Sequence, residues 1–542
     1  PTMREGSEVE TYLTSLGHLW TTTKIQPRLP VGNTAICPLP TYSFQRDALV
    51  IADKNKSKLP RVGKSTRPNK VASKALLDGV QTLFYETCYE HVEISCLDFT
   101  EATVVKDGDS LPHGLPANLV VATAARAVLS ARSSKCLFFV GSSDAVPPVD
   151  DTSQEELVEG IVRLIKELVN AKAEIELFFI LKKNVRYAGL WGLLRSASRE
   201  HPELRMRRLL WEEGAPLLFP AMPVELLLKH DGAYAPRLRP ATVPPAPRSS
   251  ATYSCGLVTG GLRGIGVKVA EWLVATKRVA ALVVVGRNPP QGEAAESLRK
   301  LKHMVPVEIC ICDVARWSDV QKLPDCDLVI HAAGNVKDGL LVHTPVRDMR
   351  QVLQPKVQGA VHLKERYPNA RLLGFSSSSG VFGSAAQATY AFANTFLDAI
   401  MPSIQWGGWA GTGMAKDLGI VPMPGERFLP VSVGLECLGT VLDGPEQDVP
   451  FCVLDCDWAA FRQNPTQFWP QDPLLADIEA QRAPSLIGSP SSIGDQVHCW
   501  EMAVGPAGAR HEGTHPAWEV CQQHVIGQAP VFPATAFVAM AL

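Results

Sequence analysis

The chain of 542 residues has no strong charge of either sign: 53 Lys and Arg stand against 55 Asp and Glu, a formal net charge of -2 at pH 7. Binding to nucleic acid or to an anionic membrane needs a basic face, so neither partner is expected. Long apolar runs are missing too. Those present, such as Val279 to Gly286, fall far short of the roughly 20 residues that cross a bilayer. The 13 cysteines show no repeated CxxC spacing. Cys310 and Cys312 alternate along an expected strand and Cys452 and Cys456 flank another, which reads as free thiols rather than zinc ligands. No secretory leader is visible, which points to a reducing, cytoplasmic location. No internal repeat of about 20–50 residues occurs. The chain opens at Pro1 without an initiator Met and stops at Leu542 inside an apolar run, as a fragment of a longer protein would.

What is present is enough apolar residue, 46%, to build packed cores. Taking about 100–200 residues per domain, three or four units are expected. Three stretches read as linkers: Lys54 to Lys70, the proline-stiffened Arg237 to Ser250, and Gln471 to Gln496. Between the first two, hydrophobic periodicity predicts a helix over Leu119–Ser130, a strand over Lys135–Gly141, a helix over Glu155–Asn170 and a strand over Glu174–Leu181. That alternation predicts an α/β unit, but it contains no glycine-rich turn for a nucleotide.

After Ser250 an apolar strand runs into Thr259-Gly260-Gly261-Leu262-Arg263-Gly264-Ile265-Gly266 and then a helix. Glycines let such a turn bend tightly and let the backbone approach a pyrophosphate, which the helix N-terminus attracts. Strand, turn and helix in this order favour dinucleotide binding over a plain connection. The next strand, Ala281 to Val285, ends at Gly286 and Arg287. An NAD enzyme tends to place a carboxylate there; Arg287, with Arg263 in the turn, suits the 2′-phosphate of NADPH, the alternative being two solvated arginines. A third strand ends at Cys312-Asp313-Val314, where Asp313 can meet the adenine. A fourth, Leu328 to Ile330, ends at His331-Ala332-Ala333-Gly334, small residues that admit the cofactor, with His331 itself structural.

A fifth strand, Leu372 to Phe375, leads into Ser376–Ser379, and Tyr390 and Asn394 follow on one face of a helix. Ketone reduction needs a proton donor at oxygen, and a tyrosine serves if a cation lowers its pKa and a hydroxyl shares the oxygen. Short-chain dehydrogenase/reductases carry a Lys four residues after the Tyr, where this chain has Asn394.

The segment Ala251 to Phe461 resembles the catalytic subdomain of modular polyketide synthase ketoreductases, in which the Lys and Asn positions are exchanged. Its Lys lies in a PKVxGA segment, here Pro355-Lys356-Val357-Gln358-Gly359-Ala360. The resemblance implies Tyr390 as proton donor, Ser377 as the hydroxyl on the substrate oxygen, Lys356 as the cation tuning the Tyr and Asn394 as holder of the proton relay. It implies NADPH as cofactor, with Gly260, Gly261, Leu262, Arg263, Gly264, Ile265, Gly266, Thr259, Arg287, Asp313, Val314, Ala332, Ala333 and Gly334 as its binding residues. The substrate implied is a β-ketoacyl thioester on the phosphopantetheine arm of an acyl carrier protein. Val336-Lys337-Asp338 stands for the family's stereochemical LDD, and Gly374 for the tryptophan of the opposite type, a lean to the D-hydroxyl product. Shortening before Ser376 and between Asp398 and Ser403 is expected to affect packing of the lid, Gly411 to Leu418, which follows Trp406-Gly407-Gly408-Trp409.

The flanks carry similar signatures. Tyr12 to Trp20 and Pro38 to Arg46 resemble an acyltransferase tail and its linker. Tyr187 to Leu204 resembles the ketoreductase structural subdomain, a truncated dinucleotide fold. His515 to Leu542 resembles the start of a dehydratase hot-dog domain, with His524 nine residues before Pro533, in Pro533 to Phe537, as the implied catalytic base. The expected layout is 1–66 acyltransferase tail and linker, 67–245 structural subdomain, 246–463 catalytic NADP-binding subdomain, 464–495 linker and 496–542 truncated hot-dog. The fold class expected is α/β with two Rossmann-like subdomains, the first truncated and the second complete. Other polyketide synthase domains are expected in the parent chain. Two rival functions remain: a reductase-inactive NADPH-binding scaffold or epimerase, and a free-standing sugar or alcohol dehydrogenase, against which the large cofactor-free segment argues.

Overall fold

The structure is a computed structural model that describes residues 82–462 with short gaps, the longest at 122–135, together with 473–478 except residue 477 and a few strand residues further on. The chain divides into two compact units, Asn69–Ala483 and Pro1–Pro68 with Pro484–Leu542. In the latter the described residues form two short antiparallel pairs, Ser489–Ser492 with His498–Glu501 and Val525–Ile526 with Ala529–Pro530. His524, the segments Tyr12 to Trp20, Pro38 to Arg46 and Pro533 to Phe537, and the first linker lie outside the described residues.

The unit Asn69–Ala483 holds two halves. The first runs β1 (Phe84–His91), β2 (Glu101–Asp107), β3 (Asn118–Val121), β4 (Cys136–Gly141), α1 (Ser153–Asn170), β5 (Glu176–Lys182), α2 (Val185–Glu200), β6 (Arg207–Trp211), β7 (Glu225–Lys229) and β8 (Gly232–Pro240). The second starts with β9 (Tyr253–Thr259), α3 (Gly264–Ala275), β10 (Val279–Gly286), α4 (Gly292–Leu301), β11 (Val307–Ile311), α5 (Trp317–Val320) and β12 (Leu328–His331). It continues with α6 (Val346–Lys356), α7 (Gln358–Arg366), β13 (Arg371–Ser377), α8 (Ser378–Phe382), α9 (Ala388–Ile400), β14 (Ser403–Trp406), α10 (Gly413–Asp417), β15 (Glu426–Arg427), α11 (Val431–Asp443), β16 (Phe451–Val453), β17 (Asp455–Cys456) and α12 (Trp458–Arg462).

A single sheet of 15 strands joins the halves, in the order β11-β10-β9-β12-β13-β14-β16-β1-β8-β7-β6-β5-β4-β2-β3. The second half is parallel throughout, with the order reversing between β9 and β12. That is the doubly wound arrangement, whose ligand crevice lies at the carboxyl ends of the strands where the order reverses. The first half repeats the plan with one strand fewer on its outer side: β2 starts it, β3 lies outside, and the order reverses between β2 and β4. Two antiparallel strands weld the halves, β1 pairing with β16 on one side and β8 on the other.

Helices complete the weld. Gly189 and Gly192 of α2 meet α9: a Cβ at Gly192 would lie 2.4 Å from the Ala391 carbonyl oxygen, and one at Gly189 2.6 Å from the Phe392 ring. Only glycine allows that approach, and Thr395 Oγ1 uses it to donate to the Gly189 carbonyl at 3.0 Å. Leu190, Leu193, Phe392 and Phe396 are fully buried in one apolar core shared by both halves, each side chain contributing about 1.5–3 kcal/mol. On the same side, Glu155 of α1 accepts from Gln354 and Gln358 at 3.2 and 3.0 Å and pairs with Arg350 at 3.2 Å, gripping the α6–α7 junction that carries Lys356.

The structure corrects several sequence expectations. Asn118–Val121 is a strand, not the start of a helix, because a short apolar run with adjacent valines fits either period. Arg237–Pro240 belongs to β8, not to a linker; its ladder with β1 outweighs its prolines. Within the third expected linker, Leu474, Leu475 and Ile478 are buried against Phe461 and Trp458, and the Arg462 guanidinium donates to the Leu475 and Ile478 carbonyls. Strand β11 ends one residue before Cys312. Among the described residues no helix is long and apolar enough to cross a membrane, and no cluster of metal-ligating side chains occurs.

Candidate active site

The crevice at the β9/β12 reversal opens into a cavity of about 490 Å³. Its walls include Gly260, Leu262, Arg263, Gly264, Ile265 and Gly266 from the turn, Arg287 after β10, Asp313 and Val314 after β11, and Ala332, Ala333 and Gly334 after β12. Gly260 has φ +69°, and a Cβ there would sit 2.9 Å from the Ala332 carbonyl oxygen. A Cβ at Gly266 would lie 2.2 Å from the Gly260 carbonyl oxygen. The turn is thus a backbone cradle that side chains would fill, directly before the N-terminus of α3, and it fits a dinucleotide pyrophosphate. Arg263 and Arg287 stand exposed at its rim. Thr259 and Gly261 do not line the cavity. Thr259 is buried behind the turn, where Oγ1 meets His331 Nδ1 at 2.7 Å and accepts from the Ala333 amide at 3.2 Å, tying β9 to β12. Burial first, then the Lys356 charge, pushes the His331 imidazole down to about 3, so it is neutral, which fits a structural role.

A second cavity of about 270 Å³ adjoins the first, sharing Ile265, Ala332, Gly334 and Met414 as walls. Lys356, Ser377 and Tyr390 all line it, although they come from α6, β13 and α9. Tyr390 is half-buried, and desolvation raises its pKa, while the Asn394 and Ser377 side chains beside it work in the other direction. Ser377 caps α8, its Oγ accepting from the Ser379 amide at 3.2 Å. Asn394 lies one turn along α9, fully buried behind the cavity wall, and its Nδ2 donates to the Tyr390 carbonyl at 2.8 Å. The Lys356 ammonium reaches across from the end of α6 and donates to the Phe375 carbonyl on the strand that carries Ser377. Burial lowers its pKa to about 8, and the Asp398 carboxylate opposes that shift. Asp398, two turns along α9 from Tyr390, accepts from Ser403 Oγ at 2.6 Å and Gln405 Nε2 at 2.8 Å, which closes the shortened connection into β14.

The site also contains Gln387 and Phe382, which no motif flagged, beside residues that motifs did flag. Gln387, Phe382 and Val336 line the second cavity, as do Trp406 and Trp409. Thr412 and Met414 of the expected lid line it as well, and Gly413 touches the glycine turn, so the lid borders both cavities. Gly374 does not line it. A Cβ there would meet the Leu397 side chain at 3.1 Å, in the layer between β13 and α9. Asp338 is exposed beside the cavity and accepts from Gln387 Nε2 at 3.0 Å.

Residues 254–418 match the family model described as the KR domain. A spectinabilin polyketide synthase system protein of Streptomyces orinoci is 39% identical over 196 residues, 32% of this chain and 9% of that protein. A polyketide synthase of Streptomyces halstedii is 31% identical over 349 residues, 57% of this chain and 5% of its own length. A phenolphthiocerol/phthiocerol polyketide synthase polypeptide from Mycobacterium tuberculosis (strain ATCC 25618 / H37Rv) is 30% identical over 361 residues, 54% of this chain and 19% of that one. The chain thus spans less than a fifth of the length of these relatives. Among solved structures, A-type ketoreductases from a modular polyketide synthase superpose with TM-score 0.62 at 23% identity, covering 74% of this chain and 98% of that one. The first ketoreductase of the tylosin polyketide synthase gives 0.58 at 20% identity, with 74% and 98% covered. At that identity the superpositions speak to the fold, and the fold agrees with the family match. Residues 254–418 carry a KR domain, and the chain around them is similar to segments of polyketide synthases.

Proposed function

We propose that this segment reduces a β-ketoacyl thioester, presented on the phosphopantetheine arm of an acyl carrier protein, to the 3-hydroxyacyl thioester with NADPH. The observation that carries the reading is the meeting of Lys356, Ser377 and Tyr390 in a cavity that shares a wall with the glycine cradle. When bound, NADPH supplies hydride to the β-carbon. Gly260, Gly264 and Gly266 admit the pyrophosphate, Arg263 and Arg287 take the 2′-phosphate, and Asp313 borders the adenine. Ser377 donates a hydrogen bond to the β-keto oxygen and Tyr390 gives it a proton. The Lys356 ammonium adds positive charge to the floor of this cavity, and Asn394 fixes the Tyr390 turn of α9. Trp406, Trp409 and the lid exclude water from the apolar acyl part.

The first half acts as a scaffold in this assignment, with 67–245 the structural and 246–463 the catalytic subdomain. The motifs at either end assign 1–66 to an acyltransferase tail and 496–542 to the start of a dehydratase, with His524 as its base and other synthase domains beyond.

Incubating the chain with NADPH and a β-ketoacyl thioester, with chiral analysis of the product, tests the reaction. Wild type consumes NADPH, while Tyr390→Phe loses about 10²–10⁴-fold in rate and still binds NADPH. Binding without turnover in wild type marks a scaffold, and reduction of sugars but not thioesters marks a free-standing dehydrogenase.

A further inference from the structure

Four side chains on one face of α2, in the first half, reach the segment that links Ser377 to Tyr390. Arg195 Nη1 donates to the Gly380 carbonyl at 2.8 Å, and Ser196 Oγ accepts from the Ser384 amide at 3.0 Å. The Arg199 guanidinium donates to the Phe382 carbonyl. Glu200 does more than these. Its Oε1 accepts from the Ala386 amide at 2.9 Å and its Oε2 from the Leu341 amide at 2.6 Å, so one carboxylate joins two loops.

Both loops frame the substrate cavity. One runs from Val336, a wall residue, through Asp338 to Leu341; the other ends at Gln387, a wall residue that precedes α9 and Tyr390. They are bonded to each other by Gly339 N–H to the Ala386 carbonyl at 2.8 Å and by Gln387 Nε2 to Asp338 Oδ1 at 3.0 Å. Ala386 has φ +65°, a conformation that an L residue keeps only when its surroundings dictate it. Here its N–H is fixed by Glu200 and its C=O by Gly339. A carboxylate accepts at both oxygens, whereas a carboxamide turns a donor toward one of the two amides.

We propose that Glu200 is a positioning residue for the reduction, setting the placement of Gln387 and of the 336–341 loop and hence the face on which the β-ketone is presented to the cofactor. This rests on the reductase reading above. The structural half then helps decide stereochemistry as well as stability.

The test compares the full chain with Glu200→Gln and, as a milder variant, Ser196→Ala. Three readouts are taken: steady-state kinetics with product enantiomer ratio, NADPH affinity, and amide hydrogen exchange over 339–341 and 384–387. Glu200→Gln is expected to lower kcat/KM by about tenfold or more and to move the enantiomer ratio toward unity. NADPH Kd should stay within about twofold, since no cradle residue moves, and exchange in both loops should rise. Ser196→Ala should shift the same readouts less, and it carries the test if Glu200→Gln does not fold. An active wild type beside a variant with unchanged KM and enantiomer ratio, whatever its melting temperature, makes Glu200 merely structural and overturns the proposal. If wild type does not turn over, the reaction assignment fails, and exchange alone judges Glu200: unchanged protection of both loops overturns its role.

Discussion

The two halves use the same place in the same fold in opposite ways. In the second half the carboxyl ends of β9 and β12 part at the strand-order reversal, and glycines leave a cavity there. In the first half the equivalent reversal lies between β2 and β4, and a tyrosine fills it. Tyr187, fully buried, donates to Asp107 Oδ2 at 2.8 Å and accepts from the Ser143 amide at 2.9 Å, joining the ends of both strands. Its ring lies 2.7 Å from where a Cβ of Gly141 would be, and Arg186 pairs with Asp107 at 3.0 Å over the top. One crevice is kept open by what its residues lack, and the other is closed by one large side chain. A doubly wound frame therefore does not bind a nucleotide by itself; the turn residues decide.

The first half, with its crevice closed, is most directly broken at the buried cluster around Glu225. Glu225 accepts from Trp191 Nε1 at 2.7 Å, from Arg195 Nε at 3.0 Å and from Arg208 Nε at 3.1 Å. Burial works against its charge, but the Arg195 and Arg208 guanidiniums win and hold the carboxyl down to about 2. Glu225→Ala leaves two arginines buried without their partner and should cost about 3–5 kcal/mol, read by urea unfolding. Because the folded pKa lies below the unfolded one, this contribution is complete above about pH 4.5 and is lost as pH falls toward 2. Wild type should therefore lose stability faster than the variant over that window. NADPH affinity of the folded variant should be unchanged, because the open crevice is untouched.

The open crevice is probed by Arg287→Asp. Neither Arg263 nor Arg287 has an ion-pair partner among the described residues, so both are available to a 2′-phosphate. The substitution should weaken NADPH by about 10–100-fold, the scale of a hydrogen bond to a charged group, and should favour NADH. Titration of each cofactor against both proteins measures it, and an unchanged preference moves the phosphate contact elsewhere.

What the sequence revealed and what it hid follow from the same physics. The glycine turn was legible because close backbone approach restricts residue type at fixed spacing. Tyr390 and Asn394 were legible because helical geometry puts them on one face. The contacts that cross between halves were not. Glu200 and Ser196 look like ordinary surface residues of a helix until α2 is laid against 380–386. Gly189 and Gly192 look like weak points in that helix until α9 is seen to need the space. Gly374 was matched only by resemblance, to a tryptophan position, and alternation along β13 turns it toward Leu397.

The mildest substitution bears most directly on why one crevice is open and the other shut. Tyr187→Phe keeps the ring in the closed crevice and removes only the hydroxyl. The Ser143 amide loses its acceptor, while Asp107 keeps the Arg186 guanidinium. The expected cost is about 0.5–1.5 kcal/mol, that of one hydrogen bond removed. Calorimetric titration should still find one NADPH per chain. Without a glycine turn there is no cradle between β2 and β4, and the phenyl ring still occupies the space. If a second NADPH bound to the variant, the hydroxyl rather than the missing turn would be what keeps nucleotide out of the first half.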